Sequence, residues 1–171
     1  MPCSVPLAGI GIDCSTNLSG IKNLYLADYN EVASVTLTTD HISAITMNET
    51  AKFYKYTPAK NTGSLTKTLT KDESTGVKYY TNEAVAQFNK MDGSKRAELD
   101  QLDGAQLAAI VEDMNGMLWY LGYDNYATAS AITGQTGAGM DDGNFYSLTV
   151  TDISGQLPYP VDSSILSGLI A

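Results

Sequence analysis

Few side chains in this 171-residue chain could do chemistry, and their spacing does not bring them together. The single histidine, His41, follows Asp40 in a turn and precedes the apolar Ile42 and Ile45. That is the setting of a surface or edge residue, not of a positioned general base. Asp141-Asp142-Gly143-Asn144 has the composition of a cation-binding turn. It lacks the alternating D-x-[DN]-x-[DN]-G spacing that aims several carboxylates at one ion, so it reads as a solvated β-turn. Glu112 and Asp113 are neighbours on an extended segment, point to opposite faces and cannot converge as an acid/base pair. Gly134, Gly137 and Gly139 form a GxxGxG run that neither a helix nor a Lys follows, so it makes no phosphate cradle. Cys3, Cys14 and His41 match no zinc spacing; whether the two cysteines pair stays open, and free thiols suit a reducing cytoplasm. Trp119 with its Tyr neighbours is either a sugar-stacking platform or core. No enzymatic constellation is expected, and neither a cofactor nor a metal.

The elements that carry these residues are mostly strands. Residues 1–20, rich in Gly, Ser, Pro and Asn, read as an irregular arm. Short β-type runs follow at Lys22–Ala27, Val32–Thr38 and Ile42–Met47, each bounded by turn residues. Residues 52–90 hold few large aliphatics and read as long strands or an extended hairpin arm reaching out from the core. Within it Leu65, Lys67 and Leu69 share one face, and Thr66, Thr68 and Thr70 the other. A helix is expected over 92–103, capped by Asp92, buried along Leu99 and Leu102 and ended by Gly104. Leu107–Leu121 is a hairpin turning at Asn115-Gly116, the type I′ dipeptide. A two-residue loop there would set Ile110 opposite Leu121, Val111 opposite Tyr120 and Glu112 opposite Trp119. Both faces are apolar, so Ile110, Val111, Leu118, Trp119, Tyr120 and Leu121 are core or interface. Strands at Tyr126–Ile132 and Asn144–Thr151 follow, and Pro158 and Pro160 open a tail over 160–171. The expected fold is mainly β: a single-domain sandwich or barrel over 1–171 with one flanking helix.

Composition narrows the function. Charged residues make up 17% of the chain, and 19 acids against 10 bases give a net charge of −9. All ten bases lie between Lys22 and Arg96, and residues 1–96 hold nine acids; residues 97–171 carry ten acids and no base. So acidic a chain is ill suited to gripping nucleic acid, which takes Lys and Arg to displace counterions. The acidic half is either a solvated surface or a functional field that repels one ligand class or meets a basic neighbour. No apolar run reaches signal-peptide length or the ~20 residues of a membrane helix, which points to a chain made in the cytoplasm.

One resemblance joins these features. The chain has a Cys-containing Gly/Ser arm ending Ser19-Gly20-Ile21-Lys22-Asn23-Leu24-Tyr25-Leu26-Ala27, then a Thr-rich hairpin region and the helix Ser94-Lys-Arg-Ala-Glu-Leu99. The segments Ile110-Val-Glu-Asp-Met-Asn-Gly-Met-Leu-Trp-Tyr-Leu-Gly122 and Gly137-Ala-Gly-Met-Asp-Asp-Gly-Asn-Phe-Tyr-Ser-Leu148 follow. In this order they resemble the tail-tube proteins of tailed phages of Bacteroidota. The resemblance implies a virion protein, assembled in the host cytoplasm, whose sheets join six to a ring while rings stack into a tube that passes DNA without binding it. On that reading Asp124, Asp141, Asp142 and Asp152 are candidate lumen acids. Lys55, Lys60, Lys67, Lys71 and Lys78 are candidate contacts from the arm to the acidic half of the next copy. Tail terminators and head–tail connectors share the profile. The rival from another class is a monomeric carbohydrate-binding β-sandwich, which would not need a Thr-rich arm.

Overall fold

The computed structural model describes residues 7–171. Cys3, and with it any pairing to Cys14, lies outside the described residues. The chain is mainly β. Its strands are β1 (Ile21–Asp28), β2 (Val32–Thr38), β3 (His41–Met47), β4 (Tyr54–Tyr56), β5 (Ser64–Lys71), β6 (Lys78–Asn89), β7 (Leu107–Asp113), β8 (Leu118–Leu121), β9 (Thr128–Gln135), β10 (Phe145–Ser154) and β11 (Pro160–Val161). Helix α1 spans Gly93–Leu102, and a single turn, α2, spans Leu166–Leu169. Asp92 caps α1 by accepting from the Lys95 N–H, and Leu99 and Leu102 are its buried pair, as the spacing predicts.

Two sheets result: a seven-stranded one ordered β2-β3-β11-β8-β7-β1-β4 and a four-stranded one ordered β5-β6-β10-β9. They pack face to face. Leu24, Leu26, Val111 and Leu121 of the large sheet meet Ala84, Ala86, Leu148 and Val150 of the small one, and α1 adds Leu99 and Leu102. The far face of the large sheet buries Tyr25, Ile110, Leu118 and Tyr120 beneath Phe53, Ile45 and Leu169. The β7–β8 hairpin is therefore central, and its own chain covers it on both faces. It is core, not an interface between subunits.

Three expectations change. The hairpin register is one residue off: Ile110 pairs with Tyr120, Val111 with Trp119 and Glu112 with Leu118. The cause is Asp113. Its carboxylate accepts from the N–H groups of Asn115 and Met117, both at 2.9 Å, and its own N–H donates to the Met117 carbonyl. This closes a three-residue loop in which Gly116, at φ +85°, takes the left-handed bulge position. A one-residue slip exchanges faces, so Val111, not Ile110, shares the inter-sheet core with Trp119 and Leu121.

Residues 52–90 are not a projecting arm. β6 pairs with β10 along ten residues, and β5 and β6 form half of the small sheet. The shortage of large aliphatics has another cause: β6 turns the small Ala84 and Ala86 inward and polar residues outward. Only the turn between Lys71 and Lys78 runs past the sheet. The C-terminal tail is likewise built in. β11 lies between β3 and β8, and Phe53 exchanges backbone hydrogen bonds with Leu169 and Ala171.

Candidate assembly surface

The small sheet has an inner face in the core and an outer face that nothing among the described residues covers. Alternation decides which side chains lie outside. They include Thr66, Thr68 and Thr70 from β5; Thr81, Glu83, Val85 and Gln87 from β6; Ser147, Thr149, Thr151 and Ile153 from β10; and Ala131 and Thr133 from β9, with Tyr79 and Phe145 at the two ends of the face. Glu83 is the sole charged side chain among these. Hydroxyls bond to one another across strands: Ser130 Oγ lies 2.7 Å from Thr151 Oγ1. Both outer strands of this sheet, β5 and β9, have one neighbour only. β9 reads Thr-Ala-Ser-Ala-Ile-Thr-Gly-Gln and carries neither a charge nor a proline, the usual guards of an edge. Its outward-facing backbone donors and acceptors, at alternate positions and interrupted by a bulge at Ser130, form a template for another strand.

A second unsatisfied feature is the N-terminal segment. Residues 7–19 run outside any strand or helix, with Ile10 and Ile12 at 103% and 96% exposure and Leu7 nearly as open. The segment is tied to the body at its end: the Leu18 N–H donates to Asn115 Oδ1 at 2.8 Å, and Asn115 Nδ2 donates to Asn17 Oδ1 at 3.0 Å. Met140, in the β9–β10 loop, is also fully exposed. The projecting arm of this chain is thus its N-terminal segment and not residues 52–90.

The four candidate lumen acids do not come together. Asp141 and Asp142 lie in the β9–β10 loop, at one end of the small sheet. Asp124 and Asp152 lie at the other end, on the order of 20 Å away along β10. Asp152 is buried on the inner face, where burial raises its pKa, and it leaves the candidate lumen set. Asp142 turns back on its own loop, accepting from the N–H groups of Ala138 and Gly139 at 2.8 and 2.6 Å, which hold its pKa below the usual carboxylate value. Asp124 accepts from Gly155 N–H at 3.0 Å. Asp141 is exposed.

The five lysines are dispersed too. Lys55 is on β4 of the large sheet, Lys60 in the following loop, and Lys71 opposite Lys78 at the end of the β5–β6 hairpin. Lys71 pairs locally with Glu73 at 3.2 Å. Lys67 alone points between the sheets, its Nζ 3.1 Å above the centroid of the Trp119 ring. Trp119 is half-buried and donates its indole N–H to Asp113 Oδ2 at 3.2 Å. A ring engaged on its face and at its nitrogen is no open sugar platform.

Among the other residues weighed for chemistry, exposed His41 stands 3.4 Å from Asp40. Glu112 accepts from Lys22, Asn23 and Tyr25 at 2.9, 2.6 and 2.8 Å on the face opposite Asp113. Among the described residues no group of three or more His, Cys, Asp and Glu side chains is placed to hold a metal. The uncovered face itself escaped the sequence reading. Its signal is a run of alternate Thr and Ser positions, 66, 68, 70 and 147, 149, 151, that recurs in two strands distant in sequence. No protein family, curated protein or solved structure matches this chain.

Proposed function

We propose that this chain is the repeating subunit of a phage tail tube, with its four-stranded sheets joined edge to edge into rings. One observation carries the reading. The small sheet has two open edges, one of them with neither charge nor proline, and an outer face rich in Thr and Ser with a single charge. A monomer gains nothing from such an edge and risks aggregation by it; a ring closes every edge. Six such sheets in one barrel exceed the roughly 16–18 strands of porins, which already enclose an aqueous channel.

The lumen face on this reading is the Thr/Ser face, not the loop acids. It offers DNA no basic side chain to replace counterions, and one acid per subunit, Glu83, adds repulsion. Passage without adhesion follows from that chemistry. The exposed Leu7, Ile10 and Ile12 are the apolar surface left to contact a further copy, within a ring or between stacked rings.

Size-exclusion chromatography and negative-stain imaging of the purified chain test the proposal. Rings or tubes are expected from the unaltered chain. Ala131→Lys with Thr133→Lys, both exposed on β9, should give a folded monomer. An unaltered chain that stays monomeric at high concentration overturns the reading.

A further inference from the structure

Three reactive groups stand in a row across the inner face of the small sheet. Lys67 on β5 lies opposite Asn82 on β6, and Asn82 lies opposite Asp152 on β10. Directly opposed residues share a face with Cβ atoms about 4.5–5.5 Å apart. Asn82 is fully buried and Asp152 nearly so. Asn82 Nδ2 donates to Asp152 Oδ2 at 2.9 Å and to Ser154 Oγ at 3.1 Å. The remaining oxygens, Asn82 Oδ1 and Asp152 Oδ1, are buried with no hydrogen-bond partner. Two buried acceptors without a donor cost free energy, and a proton on the carboxyl supplies the missing donor. Lys67 enters none of the ion pairs among the described residues; its amine rests on the Trp119 ring.

We propose that Lys67 and Asn82 join in an intramolecular isopeptide bond, with Asp152 as the proton carrier. The neutral Lys67 amine attacks Asn82 Cγ, forming a C–N bond and a tetrahedral centre. Protonated Asp152 stabilises the oxygen of that centre by hydrogen bonding, and the carboxyl passes the proton lost by Nζ to Nδ2. The Cγ–Nδ2 bond then breaks and ammonia leaves. One amine and one carboxamide give one secondary amide and one ammonia. Nothing is oxidised or reduced, and no co-reactant enters.

The surroundings favour both protonation states. Burial brings the Lys67 pKa down to about 8, against the opposing pull of Asp113, so a usable fraction of the amine is neutral near physiological pH. Burial raises the Asp152 pKa, which favours its acid form. The Nζ atom faces Trp119 in this structure, so the reaction requires a rotamer of Lys67 that turns it towards the opposed Asn82. The product bond would tie the edge strand β5 to β6, so that β5 could not be peeled off by load at its open side.

Intact-mass measurement of the full-length, denatured chain tests this directly, followed by proteolysis and sequencing of branched peptides. The expected result is a chain lighter by one ammonia, with a branched peptide joining Lys67 to Asn82. Lys67→Arg and Asp152→Ala should both return to the full calculated mass. A full mass for the unaltered chain overturns the proposal. So does an ammonia loss that persists in Lys67→Arg, which would mark a cyclised asparagine instead. Should Asp152→Ala not fold, the unaltered chain and Lys67→Arg decide between these outcomes.

Discussion

Ten carboxylates in residues 97–171 have no lysine or arginine in their own segment, and four of them, Asp113, Asp124, Asp142 and Asp162, accept from backbone N–H groups instead. Asp113, Asp142 and Asp162 each accept from an amide within four residues, as do Asp13, Asp28, Asp72 and Asp92 earlier in the chain. These short loops convert acidity into turn geometry. Hydrogen bonds hold Asp13, Asp72, Asp142 and Asp162 below the ordinary carboxylate pKa, so their stabilisation is present above that value and fades as pH falls through the lowered one. Glu112 shows the same sign inside the fold. Burial pushes its pKa up, but the donors Asn23, Lys22 and Tyr25 outweigh it and leave it lowered. Glu112→Ala strands the Asn23 amide and the Tyr25 hydroxyl, and should cost roughly 1–3 kcal/mol at neutral pH. Urea denaturation at stepped pH checks this: the gap between variant and unaltered chain should narrow as pH falls through the carboxylate range.

Elements are held by a few conformational choices that can be tested singly. Gly116 sits at φ +85° with open space where a Cβ would be, so Gly116→Ala meets backbone strain alone. It should destabilise by roughly 1–2 kcal/mol. Gly93, the first residue of α1, also has open space but no left-handed φ. Gly93→Ala should stabilise by roughly 0.4–1 kcal/mol through the unfolded chain. Thermal melts of the two variants should move in opposite directions, and equal shifts would contradict the bulged turn. The N-terminal segment poses a different question. Ile10→Asp with Ile12→Asp removes apolar groups that are fully exposed among the described residues, so the subunit should melt as before while assembly weakens. A lowered melting temperature would place these side chains against the body.

For the whole molecule, the tail-tube proposal makes the outer face of the small sheet the wall past which DNA would move. Ser147 and Thr149 lie on its outer face on the central strand β10, away from both edges, so Ser147→Lys with Thr149→Lys should allow assembly yet slow ejection. The slowing should be greater at low salt, because each added lysine offers a phosphate contact that counterions screen. Asp141→Lys, in the β9–β10 loop, should leave ejection unchanged. The opposite pattern, slowing by Asp141→Lys alone, would move the conduit from the sheet face to the loops.

Much of the secondary structure was legible along the chain because it rests on local rules. The capping Asp92, the Leu99/Leu102 spacing and the alternation of Thr66, Thr68 and Thr70 with Leu65, Lys67 and Leu69 follow from residues within a turn or two of one another. The mainly-β class follows from the density of such runs. Register and partnership did not follow. One carboxylate, Asp113, competes with the Asn-Gly dipeptide for the hairpin turn and shifts every pair beyond it, a balance set by two amide hydrogen bonds. Residues 52–90 looked unsupported because their partner, β10, lies more than fifty residues on, and small inward alanines resemble the absence of a core until the adjacent Leu148 and Val150 and the facing Leu24 and Leu26 are in place. The Lys67–Asn82–Asp152 row has no spacing to betray it, since only the stacking of three strands makes neighbours of residues 15 and 70 positions apart. Local sequence determined which segments are extended, helical or turning, through short-range sterics and capping; which faces meet, which edges stay open and which buried groups lack partners was decided by long-range strand pairing, whose free energy no single segment holds.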